Sequence, residues 1–159
     1  LFNTTSLPEL ISHCLIGIAV VFVLIPFKSL LFGTHPSVPV SIFAVVGLLV
    51  YILGTLMCLY AQLQMGNAWR IGVNPNEKTK LVTTGPFALS RNPIFTSMIL
   101  CSAGSALILP STVTLLALLS VWLGLECQVR LVEEPYLLRT FPGYKTYRTR
   151  TARFIPFLY

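Results

Sequence analysis

Two polar blocks carry the residues that could do chemistry: LVTTGPFALSRNPIF at 81–95 and EEPYLLRTFPGYKTYRTRTARFIP at 133–156. In the first, Asn92 and Pro93 read as a helix start. Asn is a favoured N-cap, and Pro fits the first helical position, where its missing N–H costs nothing. Free N–H groups at such a start, with Arg91 beside them, suit an anion. An ordinary helix start with a snorkelling arginine is the plainer alternative. In the second block, Glu133 and Glu134 follow an apolar run. Carboxylates at a helix C-terminus near anionic lipid are unfavourable without partners. Adjacent residues point in different directions on a helix. One carboxylate can therefore face a cationic ligand while the other stays solvated or pairs with Arg130 or Arg139.

Other reactive residue types form no constellation. His13 lies alone in an apolar run near its start, and His35 lies in a connection. Cys14, Cys58, Cys101 and Cys127 fall one per apolar run with no C-x-x-C pair, which reads as reduced packing residues. G-x-G-x-x-G, P-loop and G-x-S-x-G patterns are absent, which excludes the usual soluble nucleotide folds.

The elements that must position the two blocks are membrane helices. The chain has 159 residues, 55% hydrophobic and only 10% charged, with mean hydropathy +0.79, which no ordinary soluble domain shows. Apolar runs cover 10–33, 39–63, 94–109 and 112–129. The first two are long enough to span a bilayer and the last two are near the lower limit. Backbone hydrogen bonding inside a bilayer favours helices over strands here, because the runs do not alternate in polarity. The first run lacks a basic n-region and an A-x-A site, so it reads as a spanning helix and not as a signal peptide.

The expected fold is therefore all-α: a single polytopic membrane domain over 1–159, with about four transmembrane helices ending in a C-terminal helical hairpin. Roughly 37 residues separate the polar blocks, enough for two crossings and a tight turn. Both blocks then return to one membrane face. The net charge of +6 concentrates in 70–91 and 130–153, which suits anionic lipid and gives no reason to invoke nucleic acid. With only Lys28 and His35 near the opposite face, the positive-inside rule puts both termini and both blocks in the cytoplasm. Phe141, Tyr144 and Tyr147, spaced by three among Lys and Arg, mark an amphipathic interfacial segment.

In sequence order, 81–95 resembles the L-V-x-x-G-P-Y…R-H-P-x-Y block of the isoprenylcysteine carboxyl methyltransferase family and its phospholipid methyltransferase relatives. The stretch 133–156 resembles that family's tail, E-E, L, F-G, two tyrosines and R-F-I-P, and WRIG at 69–72 resembles its W-R-x-G segment. The likeness covers 64–157, the expected methyltransferase-like core. It implies an integral membrane enzyme with S-adenosylmethionine bound at the cytosolic face. Carried over by position, the cofactor residues are Thr79, Lys80, Leu81, Val82, Phe87, Asn92, Pro93, Ile94, Phe95 and Glu133. Asn92 replaces the family's histidine, and Phe87 and Phe95 replace tyrosines. An arginine that prenylcysteine enzymes carry four residues before the first glutamate falls at Val129, one step from Arg130.

Methyl transfer from a sulfonium needs an anion site for the cofactor carboxylate, aromatic or acidic groups near the cation, and a path for the acceptor. Asn92 and Pro93 can supply the first. Phe87, Phe95 and Glu133 can supply the second. Arg130 beside the acceptor head and Glu133 beside the sulfonium are the expected catalytic pair. Small residues at 97 and 102–105 can leave a lateral opening or only pack helices. The expected acceptor is a lipophilic small molecule or lipidated substrate with a carboxylate, thiol or amine head, drawn from among the membrane lipids. Two alternatives stay open. One is an NADPH-dependent sterol- or steroid-type membrane reductase, whose C-terminal pattern resembles IPFLY at 155–159. The other is a degenerate, non-enzymatic family member.

Overall fold

The computed structural model describes Cys14, Gly17, 41–66 and 81–155. Their regular elements are all helices, with no strand among the described residues. The first apolar run, apart from Cys14 and Gly17, lies outside the described residues. So do Thr79, Lys80 and the WRIG segment.

Helix α1 spans Ile42–Met65. Ser41 caps it by accepting a hydrogen bond from the Ala44 N–H at 3.2 Å, and Gly66, with φ +48°, ends it. Helix α2 spans Pro93–Ile108. It stops because Leu109 precedes Pro110, and a residue before proline is pushed out of the helical region. Three residues later α3 begins, spanning Thr112–Gln128. Ser111 and Thr114 close a reciprocal capping box at its start. This short connection makes α2 and α3 an antiparallel hairpin, as expected.

Past Gln128 the rod does not end. A π-helical turn, Val129–Glu133, leads directly into α4, Glu134–Thr140. Pro135 explains the wide turn. It has no N–H for the carbonyl four residues back, and its ring would collide with that carbonyl. The backbone widens instead, so that the Glu134 N–H reaches the Val129 carbonyl. A turn after Phe141 leads to α5, Tyr144–Arg150.

Two of these helical stretches, Ile42–Met65 and Thr112–Thr140, are long and apolar enough to cross a membrane, while α2 is shorter. Most of α1 faces outward, and Ile42, Phe43, Leu49 and Leu63 lie open. Water would not tolerate so continuous an apolar surface, whereas lipid does.

Small residues fasten α1 to α2. A Cβ on Gly47 would lie 2.8 Å from the Gly104 carbonyl oxygen, and one on Gly104 would lie 2.8 Å from the Tyr51 nitrogen. A Cβ on Gly54 would lie 2.9 Å from Cys101 Sγ. Such backbone-to-backbone approach is how membrane helices gain packing without a hydrophobic drive. The small residues of α2 thus pack rather than open. Gly104 meets α1, while Ser97 and Ser105 donate back to their own helix, to the Pro93 and Cys101 carbonyls, each at 2.9 Å. The apolar core lies on the opposite side, where Val121, Leu125, Val129 and Phe154 pack with Phe95, Met98 and Ile99.

Candidate functional site

The C-terminal segment after α5 returns to the start of α2 and is stitched to it. Ser90 and Ala152 form an isolated parallel bridge, and the Arg91 N–H donates to the Ala152 carbonyl at 2.8 Å. Ser90 Oγ and Asn92 Nδ2 both donate to the Arg153 carbonyl, at 3.0 and 3.1 Å, and Thr96 Oγ1 donates to that of Phe154 at 3.1 Å. Asn92 therefore corrects an expectation. It occupies the N-cap position, but its side chain makes no capping bond and holds the tail instead. Tail and helix need each other's polar groups more than the first turn needs a side-chain cap.

Beneath this stitching lies an ion network. Arg91 NH2 donates to Glu134 Oε1 at 2.9 Å, and both side chains are almost wholly buried. Arg91 NH1 donates to the Arg148 and Thr151 carbonyls at the end of α5, where exposed helix carbonyls attract a cation. Arg153 bridges the two acidic residues, donating from Nε to Glu134 Oε1 at 3.0 Å and from NH1 to Glu126 Oε1 at 3.2 Å. Arg148 lies 3.7 Å from Glu134 Oε2, and Arg130 pairs with Glu126 one turn back. Burial works against the Arg153 charge, but hydrogen bonds and attraction from Glu134 and Glu126 outweigh it and hold its pKa above the usual value.

The two adjacent glutamates have different surroundings. Glu134 is buried among arginines. Glu133 is half-buried and accepts a hydrogen bond from Gln128. Among the other candidates, Phe87 and Pro93 are buried, Leu81, Val82 and Ile94 are half-buried, and Phe95 packs against the apolar core. Arg130 is exposed on the outside of the rod.

Tyr147 donates to the Phe87 carbonyl at 2.6 Å, pinning the 3-10 turn Gly85–Ala88 against α5, and meets Tyr144 edge-on. Burial pushes the phenol pKa of both tyrosines up, helped by Tyr144 at Tyr147 and by Glu134 at Tyr144.

Arg153, Arg148, Glu126 and Tyr147 were absent from the sequence-based candidates. The signal for two of them was present: Arg153 opens the RFIP stretch, and Tyr147 lies in the three-residue aromatic spacing.

A profile for the family described as phospholipid methyltransferase matches residues 42–143, well over half of the chain. The chain belongs to the phospholipid methyltransferase family. The two helices long and apolar enough to cross a membrane agree with that membership. A nickel-cobalt-cadmium resistance protein, NccN, of Alcaligenes xylosoxydans xylosoxydans is 31% identical over 94 residues. That covers 58% of this chain and 44% of the relative, so the chain spans less than half of that protein's length. No solved structure matches. The family match takes in the first polar block, the hairpin, both glutamates and the start of the tail. The ion network joins this matched region, through Arg91, Glu126, Arg130 and Glu134, to Arg148 and Arg153 just beyond it.

Proposed function

We propose that the protein transfers a methyl group from S-adenosylmethionine to a lipophilic acceptor bearing a carboxylate, thiol or amine head, at the cytosolic face of a membrane. The observation that carries this reading is that the start of α2 and the Glu133 turn are locked together through Arg91 and Glu134. The two blocks that resemble cofactor-binding sequence are thereby joined.

The residues fit the cofactor on one independent count. Arg91 Nε is buried and meets no acceptor among the described residues, so a donor beside the first turn of α2 is left over for an anion. Arg91, Asn92 and the backbone N–H groups of Ile94 and Phe95 would hold the cofactor carboxylate, at the helix start that Pro93 opens. Leu81, Val82 and Phe87 would line its apolar parts, with Thr79 and Lys80 preceding them. Bound there, S-adenosylmethionine supplies an electrophilic methyl group on a sulfonium. Glu133 offers negative charge for that cation. Arg130 attracts an anionic acceptor head to the mouth. Alignment of donor and acceptor, worth about 7–11 kcal/mol in favourable cases, does most of the work. A carboxylate or thiolate acceptor needs no strong general base, so asparagine in place of histidine is tolerable at position 92.

The test measures melting of the detergent-purified protein with S-adenosylhomocysteine and with NADPH, followed by transfer of labelled methyl to extracted membrane lipids. A shift with S-adenosylhomocysteine alone, plus labelled lipid, is expected. A shift with NADPH alone would replace this reading with the reductase. No shift with either would leave a non-enzymatic family member.

A further inference from the structure

A shallow cleft of about 270 Å³ opens beside the network, lined by Arg130, Glu134, Pro135, Leu138, Arg148 and Arg153. Three different parts of the chain bring guanidinium groups to it: the π turn, α5 and the tail. Its charges do not balance. Among its lining residues, Arg130, Arg148 and Arg153 contribute three positive charges and Glu134 one negative, leaving an excess of two.

Each carboxylate already accepts from two arginines through Oε1, and Glu126 Oε2 is buried without a partner among the described residues. Glu134 Oε1 accepts from Arg91 and Arg153, and Glu126 Oε1 from Arg130 and Arg153. Arg148 reaches its nearest carboxylate oxygen only at 3.7 Å, and its side chain stays 43% exposed. Arg153 donates to Glu134 and Glu126 from all three of its nitrogens and keeps one further N–H on each terminal nitrogen, so Arg148 is the less committed partner. Partly buried cationic excess with spare planar donors favours a phosphate, which guanidinium groups grip in bidentate fashion.

We propose that this cleft is a headgroup site for an anionic phospholipid, held as a bound lipid separate from the methyl acceptor, with its phosphate between Arg148 and Arg153. Two features favour a lipid over a free anion. Pro135 and Leu138 form an apolar wall, and Leu131, one turn before, is exposed beside it. The cleft also lies at the polar end of the Thr112–Thr140 rod, the helix long and apolar enough to cross a membrane, where headgroup phosphates are found. Glu134 lines this cleft and Glu133, the next residue round the helix, does not.

The experiment reads binding alone, so its outcome is separate from that of the methyl-transfer reading. The purified protein in dodecylmaltoside is titrated with dioleoylphosphatidylglycerol, dioleoylphosphatidylcholine or sodium phosphate, and its melting temperature is followed. Phosphatidylglycerol should stabilise saturably, at roughly tenfold lower concentration than phosphatidylcholine, the worth of one charge-assisted contact. Arg148→Gln should weaken phosphatidylglycerol by a similar roughly tenfold factor. Lys145→Gln, on the same helix but outside the cleft, should change it by less than about twofold. Equal loss in Lys145→Gln would mean diffuse charge attraction and overturn the cleft. Saturable stabilisation by sodium phosphate equal to that by the lipid would assign a free anion and overturn the lipid. The comparison of the two lipids on the unaltered chain needs no variant, and no preference there overturns the proposal.

Discussion

Arg91 and Glu134 meet at 2.9 Å with side chains only 6% and 5% exposed, joining the residue before the α2 N-cap to the first residue of α4. Forty-two residues of helical hairpin lie between them in the chain. A buried pair of this kind adds little net stability when intact, because both ions lose their water. Its disruption is costly, because one ion stays buried without compensation.

Glu134→Gln should therefore lower stability by about 3–5 kcal/mol. Glu133→Gln, at a half-buried carboxyl outside the network, should leave the melting temperature nearly unchanged and weaken S-adenosylmethionine more than S-adenosylhomocysteine, which lacks the sulfonium charge. Melting and ligand affinity measured on both variants separate the roles. Loss of affinity in Glu134→Gln with unchanged melting would reverse the two assignments.

The tyrosines of α5 predict an alkaline limit. Burial raises the folded-state pKa of Tyr144 and Tyr147 above the ordinary value of about 10. Each thus contributes stability that is complete below that value and declines as pH rises above it, because the unfolded chain releases the protons first. Melting temperature should fall above about pH 10, and Tyr147→Phe should flatten the fall. At neutral pH the same variant loses the bond to the Phe87 carbonyl, at a cost of about 0.5–1.5 kcal/mol. A wild-type-like alkaline slope in Tyr147→Phe would show that other groups set the limit.

Much of this arrangement was legible in the sequence. The apolar runs located α1, α2 and α3, and Pro110 fixed the hairpin turn. The two polar blocks meet at one end of the hairpin, because an antiparallel pair of helices returns the chain to its starting end. Partner choice was not legible. Glu134 looks no different from Glu133 in the chain, and only the helical phase through the π turn decides which of them meets Arg91. That phase depends on Pro135, whose missing N–H forces the wide turn. Asn92 read as a cap because asparagine usually caps. The tail, distant in sequence, offered it a backbone carbonyl instead.

Gly104 gives a test of the α1–α2 contact. A Cβ there would lie within 2.9 Å of Gly47 and Tyr51 backbone and side-chain atoms, which cannot move aside cheaply. Gly104→Ala should force the helices apart at a cost of about 1–3 kcal/mol, as overpacking does elsewhere. Gly143, which has open space around it, is the control: Gly143→Ala should lose less. Equal melting temperatures for the two variants would show that α1 and α2 separate freely in the membrane.

Topology is open to direct labelling. The hairpin turn at 109–111 and the first polar block lie at opposite ends of α2, so they must lie on opposite sides if α2 and α3 cross. The basic residues gather at the polar-block end, where Arg91, Arg139, Lys145, Arg148 and Arg150 cluster, and the positive-inside rule assigns that end to the cytoplasm. In a background with the four cysteines replaced, single cysteines at the exposed positions Thr83, Ser111 and Lys145 report the two sides. An impermeant thiol reagent applied to intact cells should label the cysteine at 111 and spare those at 83 and 145. Permeabilised cells should label all three. Labelling of 83 and 145 in intact cells would invert the protein and put the cofactor site out of reach of cytosolic S-adenosylmethionine. Labelling of 83 and 145 on different sides would separate the two polar blocks and remove the shared site altogether.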